Sequence, residues 1–173
     1  MAGSSSRAGR RPRVAIGCDH AGYPLKTVLG GFLRERGYSV IDVGTRSRRP
    51  VDYPDYTARL CRVLQEGRAD RGIMICGSGA GSCVAANKMK GIRAAVCHDH
   101  YTAHQAVEHD DVNVLCLGSR VIGESLAREL AEAFLRARFS GEARHRRRLE
   151  KVIALEAGAN ARRAPCPDPH GRS

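Results

Sequence analysis

Short apolar, β-branched runs alternate with amphipathic stretches along most of the chain. The runs at 13–18, 38–43, 71–76, 92–97 and 113–117 predict strands. Between the first two, Leu25, Val28, Leu29, Phe32 and Leu33 recur at the spacing of one helix face, with Pro24 suited to the first turn and Gly37 to the end. Leu60, Val63 and Leu64 mark a second helix after Tyr53-Pro54, closed by Gly67. Leu126, Ala127, Leu130, Ala131, Phe134 and Leu135 mark a longer one that ends before Gly141. A last helix near 143–157 places Leu149, Val152 and Ile153 beyond an arginine cluster. Strands separated by helices predict an α/β fold: a five-stranded parallel sheet covered on both faces, a three-layer α/β/α sandwich of Rossmann-like type. Ligands of such sheets bind outside the carboxyl ends of the strands.

At 173 residues the chain suits one such domain, expected over 13–157, with a basic leader at 1–12 and a polar tail at 158–173 expected to be disordered. No apolar run approaches the ~20 residues needed to span a bilayer, so no membrane partner is expected. The first 13 residues have no apolar core of a secretory signal. The formal charge of +11 suggests nucleic acid at first sight. Residues 1–13 hold four arginines and no acid, and 157–173 add a net two, so only five charges remain for the body. With no Trp and three Phe there is little material for stacking bases, and no nucleic-acid partner is expected. An anionic small substrate fits the balance as well. Seven cysteines (18, 61, 76, 83, 97, 116, 166) form no CxxC pair, and several lie in apolar runs, which favours reduced thiols in a cytoplasmic protein.

The predicted strand ends carry the chemistry. The first delivers Asp19 and His20 together; GxGxxG is absent there, and Asp19 could equally cap the following helix. The third ends in Cys76-Gly77-Ser78-Gly79-Ala80-Gly81, three glycines in five residues before a helix. Such a loop lets backbone N–H groups converge on a phosphate or a developing oxyanion, or it simply makes a tight turn. Cys76 directly precedes it, where amides and a helix start favour a thiolate. His100 and His104 could share a helix face as a metal pair, but no third ligand at a usual spacing is evident and no metal is expected. Arg144 and Arg148, four apart, can reach one anion, and Arg120 again follows a strand.

Taken together, VAIGCDHAGYPLK, VDYPDY, ICGSGAGSCVAANK, GIRAAVCHDHYTA, HDDVNVLCLGSR and FSGEARHRRRLEKV resemble the ribose/galactose isomerase family over about residues 13–156, in particular its type B ribose-5-phosphate isomerases. The resemblance implies conversion of ribose 5-phosphate and ribulose 5-phosphate through a cis-enediolate, without metal or organic cofactor. It implies a homodimer or dimer of dimers with active sites built between two subunits. By the same resemblance Cys76 is the base that moves a proton between C1 and C2, and His109 assists ring opening, with Asp19 nearby in the same role. Gly77, Ser78, Gly79, Ala80 and Gly81 hold the enediolate oxygens, with the Ser78 hydroxyl as donor. His20, Arg120, Arg144 and Arg148 contact the sugar phosphate. Ser78 stands where some members have Thr, which keeps the hydroxyl. Asp110 follows His109 where Asn is frequent; it could accept a bond from a sugar hydroxyl but would repel a nearby phosphate. Some relatives use a Glu further along the loop as base, whereas Gly81-Ser82-Cys83 stands here and favours the thiol branch.

Three other readings stay open at this level. One is an isomerase of a six-carbon sugar phosphate such as allose or galactose 6-phosphate. The second is an isomerase of an unphosphorylated sugar, which the arginine pair disfavours. The last is a non-catalytic sugar-phosphate sensor, for which a thiol base would be superfluous.

Overall fold

The computed structural model describes residues 11–158. They belong to two units that divide between Ser140 and Gly141. The expected leader and tail lie, apart from Arg11, Pro12 and Gly158, outside the described residues.

In the first unit the chain runs β1 (Val14–Cys18), α1 (Tyr23–Glu35), β2 (Val40–Asp42), α2 (Tyr53–Gln65), β3 (Arg71–Cys76), α3 (Ala80–Ala86), β4 (Ala94–Val96), α4 (His100–Asp110), β5 (Val114–Gly118) and α5 (Glu124–Arg136). The five strands form one parallel sheet in the order β2-β1-β3-β5-β4. Side chains alternate across it with the two-residue period of a strand. Val14, Ile16, Ile73, Ile75, Leu115 and Leu117 face a core shared with α1, α4 and α5. Ala15, Met74, Val114 and Cys116 face a second core shared with α2 and α3. Both faces are therefore covered, and the central strands read as continuous apolar runs for that reason.

The helix signals act as their chemistry predicts. Pro24 and Pro54 stand in the first turns of α1 and α2. Gly37 and Gly67 take positive φ just past the ends of those helices. There the N–H of Gly37 donates to Arg34 O and that of Tyr38 to Leu33 O, and Gly67 and Arg68 repeat the pair onto Leu64 and Val63. The edge strands β2 and β4 are shorter than the apolar runs predict. Each pairs on one side only, so Tyr38, Ile92 and Cys97 remain buried without joining the ladder.

In the second unit α6 (Ala143–Glu156) follows Gly141, whose carbonyl accepts both Nε and Nη2 of Arg146 at 3.2 and 2.6 Å. Among the described residues no helix is long and apolar enough to cross a membrane.

The turn from β1 into α1 passes hard against β3. A Cβ on Gly22 would overlap the Ile75 carbonyl oxygen and lie 2.7 Å from its carbon. Backbone cannot yield there as a flexible side chain would, so Gly22→Ala is expected to destabilise the fold by about 1–3 kcal/mol. A chemical-denaturation midpoint equal to that of the wild type would show that the turn relaxes without cost.

Candidate active site

Strand register decides which residues meet. β3 lies between β1 and β5, with Cys18 opposite Ile75 and Cys76 opposite Gly118. Asp19, the glycine loop and Ser119-Arg120 therefore leave the sheet side by side at its carboxyl end. Backbone bonds tie them together: Asp19 N–H donates to Ile75 O, Ser119 N–H to Cys76 O, and Arg120 N–H to Gly77 O, at 3.2, 2.9 and 3.0 Å. The Ser119 hydroxyl adds a bond to Ala21 O at 3.0 Å.

Cys76 is only 4% exposed, on the face of the sheet that α3 covers. Its Sγ accepts the Gly79 N–H at 3.2 Å and lies 3.3 Å from Ser82 Oγ. Ser82 Oγ is also 3.0 Å from Gly79 O, so its one proton has two acceptors within reach. Gly79 adopts φ +83, a conformation that favours glycine, and this turns its N–H back onto the sulfur. Ser78 is exposed beside it, and its hydroxyl accepts the Ala80 N–H at 3.3 Å. Gly77, Ser78, Gly79, Ala80 and Gly81 thus run past the thiol at the carboxyl end of β3. The Arg120 side chain lies over Gly77, its Nε 3.7 Å from where a Cβ would stand.

Asp19, 6% exposed, accepts the Gly22 N–H on Oδ1 at 2.9 Å, so it holds the turn into α1 from the strand end itself. His20 Nδ1 lies 3.2 Å from both the N and the O of Val51, so the backbone of Val51 holds the ring by accepting from Nδ1 or by donating to it, according to the tautomer. His98 Nε2 accepts the Gly118 N–H at 3.0 Å. The tyrosine ring of Tyr53 covers Gly81, where a Cβ would come 2.8 Å from Cζ.

His109 and Asp110 stand elsewhere. Helix α4 starts beside the carboxyl end of the sheet and spans 11 residues, roughly 16 Å of rise, before the chain enters β5. Its last turn therefore lies at the amino end of the strands, opposite Cys76 within the same chain. There Gln105 Nε2 meets His109 Nδ1 at 2.9 Å, and Asp110 is exposed. Arg144 and Arg148 sit one turn apart on α6 in the second unit, with Arg144 Nε bonded to Glu142 at 2.9 Å. His104 pairs with Glu108 at 3.4 Å, and among the described residues no three His, Cys, Asp or Glu side chains group as a metal site would need.

Ser82, Ser119, Val51 and Tyr53 were not singled out by sequence reasoning. Only Ser82 carries a local signal, a hydroxyl three residues beyond the glycine that turns onto the thiol. The other three act through contacts between distant segments.

The remaining described thiols differ sharply. Burial pushes Cys18 up to about 12 and Cys61 and Cys97 up to about 11. Cys83 is drawn down to about 7, first by a hydrogen bond from Cys116 and then, against burial, by the Val96 backbone and the Asn87 amide. Cys116 is pushed well above the usual thiol range by the same partnership and by burial.

The ribose/galactose isomerase family model matches residues 14–152. The chain is 45% identical to ribose-5-phosphate isomerase B of Escherichia coli, over 86% of this chain and 99% of that protein. It is 42% identical to D-erythrulose-4-phosphate isomerase of Pectobacterium atrosepticum, over 74% and 85% of the two. Among solved structures, ribose-5-phosphate isomerase B of Clostridium thermocellum superposes with a TM-score of 0.83 at 46% identity, covering 85% of this chain and 99% of that one.

Cys83 is partly exposed, so its lowered value has a readable consequence. Because the thiolate is the form that alkylates, iodoacetamide labelling of Cys83 should climb steeply between about pH 6 and 8 and level off above that. Cys18, Cys61 and Cys97 should stay unmodified in the folded protein across the same range. Peptide mass mapping after short pulses checks this; a Cys83 rate still climbing through pH 9 would refute it.

Proposed function

The chain belongs to the ribose/galactose isomerase family and is a sugar-phosphate isomerase, and we propose that it interconverts ribose 5-phosphate and ribulose 5-phosphate. The observation that carries the chemistry is the seating of Cys76 Sγ among the Gly79 N–H and Ser82 Oγ, at the mouth of the glycine loop.

Aldose–ketose isomerisation needs a base beside the carbonyl carbon and donors aimed at the oxygen that gains charge. As a thiolate, Cys76 removes the proton from C2 of the open-chain aldose. The electrons move into the C1–C2 bond, a cis-enediolate forms, and the same proton returns to C1 while one proton passes between O1 and O2. The thiolate is held meanwhile by the Gly79 N–H and the Ser82 hydroxyl, and its burial keeps competing water few. The loop Gly77–Gly81, with the Ser78 hydroxyl, stabilises the enediolate oxygens. Asp19 and His20 hold the sugar hydroxyls at the end of β1, and Arg120 faces the same opening. Arg144 and Arg148 bind the phosphate as a guanidinium pair.

Ring opening needs a proton carrier at the ring oxygen, the role we give to His109. In one chain its helix runs away from Cys76, so this reading requires His109 and Asp110 from a second copy. The site is then completed between subunits, in a homodimer or a dimer of dimers. A symmetric pair would hold two such composite sites, each with Cys76 from one chain and His109 from the other.

Two measurements test these roles. Cys76→Ala should lower kcat on ribose 5-phosphate by at least ~10²-fold, the low end for a lost general base. Erythrulose 4-phosphate and allose 6-phosphate assayed in parallel separate mechanism from substrate. Turnover of either alone would replace the pentose and keep the base, and a kcat within a few-fold of wild type would remove Cys76 from its role. Secondly, Cys76→Ala and His109→Ala, each inactive, should regain activity when unfolded together and refolded as a mixture. Half the random dimers are mixed and carry one intact site of two, so about a quarter of wild-type activity is expected. No recovery would place His109 in the same chain's site or outside the reaction.

A further inference from the structure

A second concave site lies away from the glycine loop, at the edge of the sheet. The exit of β2 supplies Asp42 and Arg46, and one side of α2 supplies Arg59, Arg62 and Glu66, with Arg68 just beyond; they line an open surface cleft of about 430 Å³. That volume falls at the small end of ligand sites. Its two carboxylates are already engaged. Asp42 takes both short contacts of the buried Lys26 ammonium, at 3.1 and 2.8 Å, and Glu66 pairs with Arg68 at 3.1 Å. Arg59 stacks on the Tyr56 ring at 4.6 Å, which orients it without neutralising it. Among the described residues Arg46, Arg59 and Arg62 have no carboxylate within ion-pair distance. Arg59 and Arg62 are three apart on α2, near enough to repel mildly until an anion sits between them.

We propose that this cleft is a second anion site, separate from the isomerisation site, that takes a compact diphosphate. The donor set selects the class. Guanidiniums bind phosphate oxygens through paired N–H bonds, and three of them on one concave wall exceed what a single phosphate needs. No aromatic ring lines the cleft, so a nucleobase finds no stacking face and the phosphates alone are read.

The cleft also has a physical route to the isomerisation site. Arg46 belongs to the loop 43–52, which Lys26 anchors through Thr45 O at 3.1 Å. The same loop ends at Val51, whose N–H meets His20, and leads into Tyr53, whose ring covers Gly81. A diphosphate that holds Arg46 against α2 restrains this loop, and a restrained loop is less costly to order when sugar phosphate binds. By linkage the effect is reciprocal: sugar phosphate tightens diphosphate binding.

Calorimetric titration of the full-length protein with inorganic pyrophosphate tests this. One pyrophosphate per chain should bind, at least twofold tighter in saturating ribose 5-phosphate. The double variant Arg59→Ala/Arg62→Ala should weaken binding at least tenfold and keep wild-type kcat, which also shows that it folds. A parallel titration with ADP should match pyrophosphate within a few-fold, since the base is not read. Four results would overturn the proposal: no saturable binding, binding equal in the double variant, displacement of pyrophosphate by the sugar phosphate that the protein turns over, or an affinity which that sugar phosphate leaves unchanged. Retention of the protein on duplex DNA through Arg59 and Arg62 with no pyrophosphate binding would likewise overturn it, in favour of a polynucleotide surface. The dependence of binding on Arg59 and Arg62 is read without turnover, so it stands or falls independently of which sugar phosphate is isomerised.

Discussion

The site rests on one close approach of backbone to backbone. At the carboxyl end of the sheet the turn after β1 and the end of β5 press on β3 and its loop from either side. Gly22 abuts the Ile75 carbonyl, and a Cβ on Gly118 would lie 2.7 Å from both C and O of Ser78. With no side chain to separate them, three chain segments share hydrogen bonds through Asp19, Ser119 and Arg120. This packing fixes the distance between the carboxylate of one strand and the thiol of the next. Rigid placement lowers a barrier because orientation is established during folding rather than at each turnover.

A second constraint reaches the site from below. Lys26 is 4% exposed, an unusual position for an ammonium, and it is tolerable only because Asp42 and Thr45 O satisfy it. Removing either partner would leave a buried charge short of acceptors. The pair ties α1 to the exit of β2 and so fixes where the long β2–α2 connection begins. That connection brings Val51 to His20 and Tyr53 to Gly81. The placement of His20 and of the cover over Gly81, on different elements, thus depends on one ion pair between α1 and the end of β2.

Much of this was legible in the sequence, and the exceptions share a cause. Alternating apolar runs located all five strands, and Pro24, Gly37, Pro54 and Gly67 marked helix ends because proline and glycine act locally. Asp19, Cys76, the glycine loop and Arg120 stand out because strand ends are where a parallel sheet exposes chemistry, and the structure brings them to one end of the sheet. The spacing of Asp19 left capping and substrate binding as alternatives. The bond to Gly22 N–H closes the turn ahead of α1 and is not a cap, since Gly22 itself is the N-cap and no side chain caps that helix. What was not legible is long-range. That Val51 orients His20, or that Tyr53 covers Gly81, depends on how a connection of ten residues folds back. The placement of His109, by contrast, follows from the predicted parallel order, because a helix that leads into β5 must end at the amino end of the strands.

The cysteines separate reactivity from role. Cys83 is the described thiol drawn down to about 7, yet it lies on α3 partly buried against the second core, facing Ala94 O and the Asn87 amide. No run of loop amides or hydroxyl beside it could receive an enediolate, so ease of ionisation there serves no proton transfer. Cys76 is marked instead by the groups around its sulfur, the Gly79 N–H and the Ser82 hydroxyl beside the glycine loop. The two are linked through adjacent residues, because Ser82, which meets the Cys76 sulfur, directly precedes Cys83 in α3. A group added to Cys83 would push on that short helix and disturb the hydroxyl 3.3 Å from Cys76 Sγ. Inactivation by a thiol reagent would therefore be expected whether or not Cys76 had reacted. Only the base's own substitution, in a chain whose Cys83 is intact, distinguishes a lost proton carrier from a displaced one.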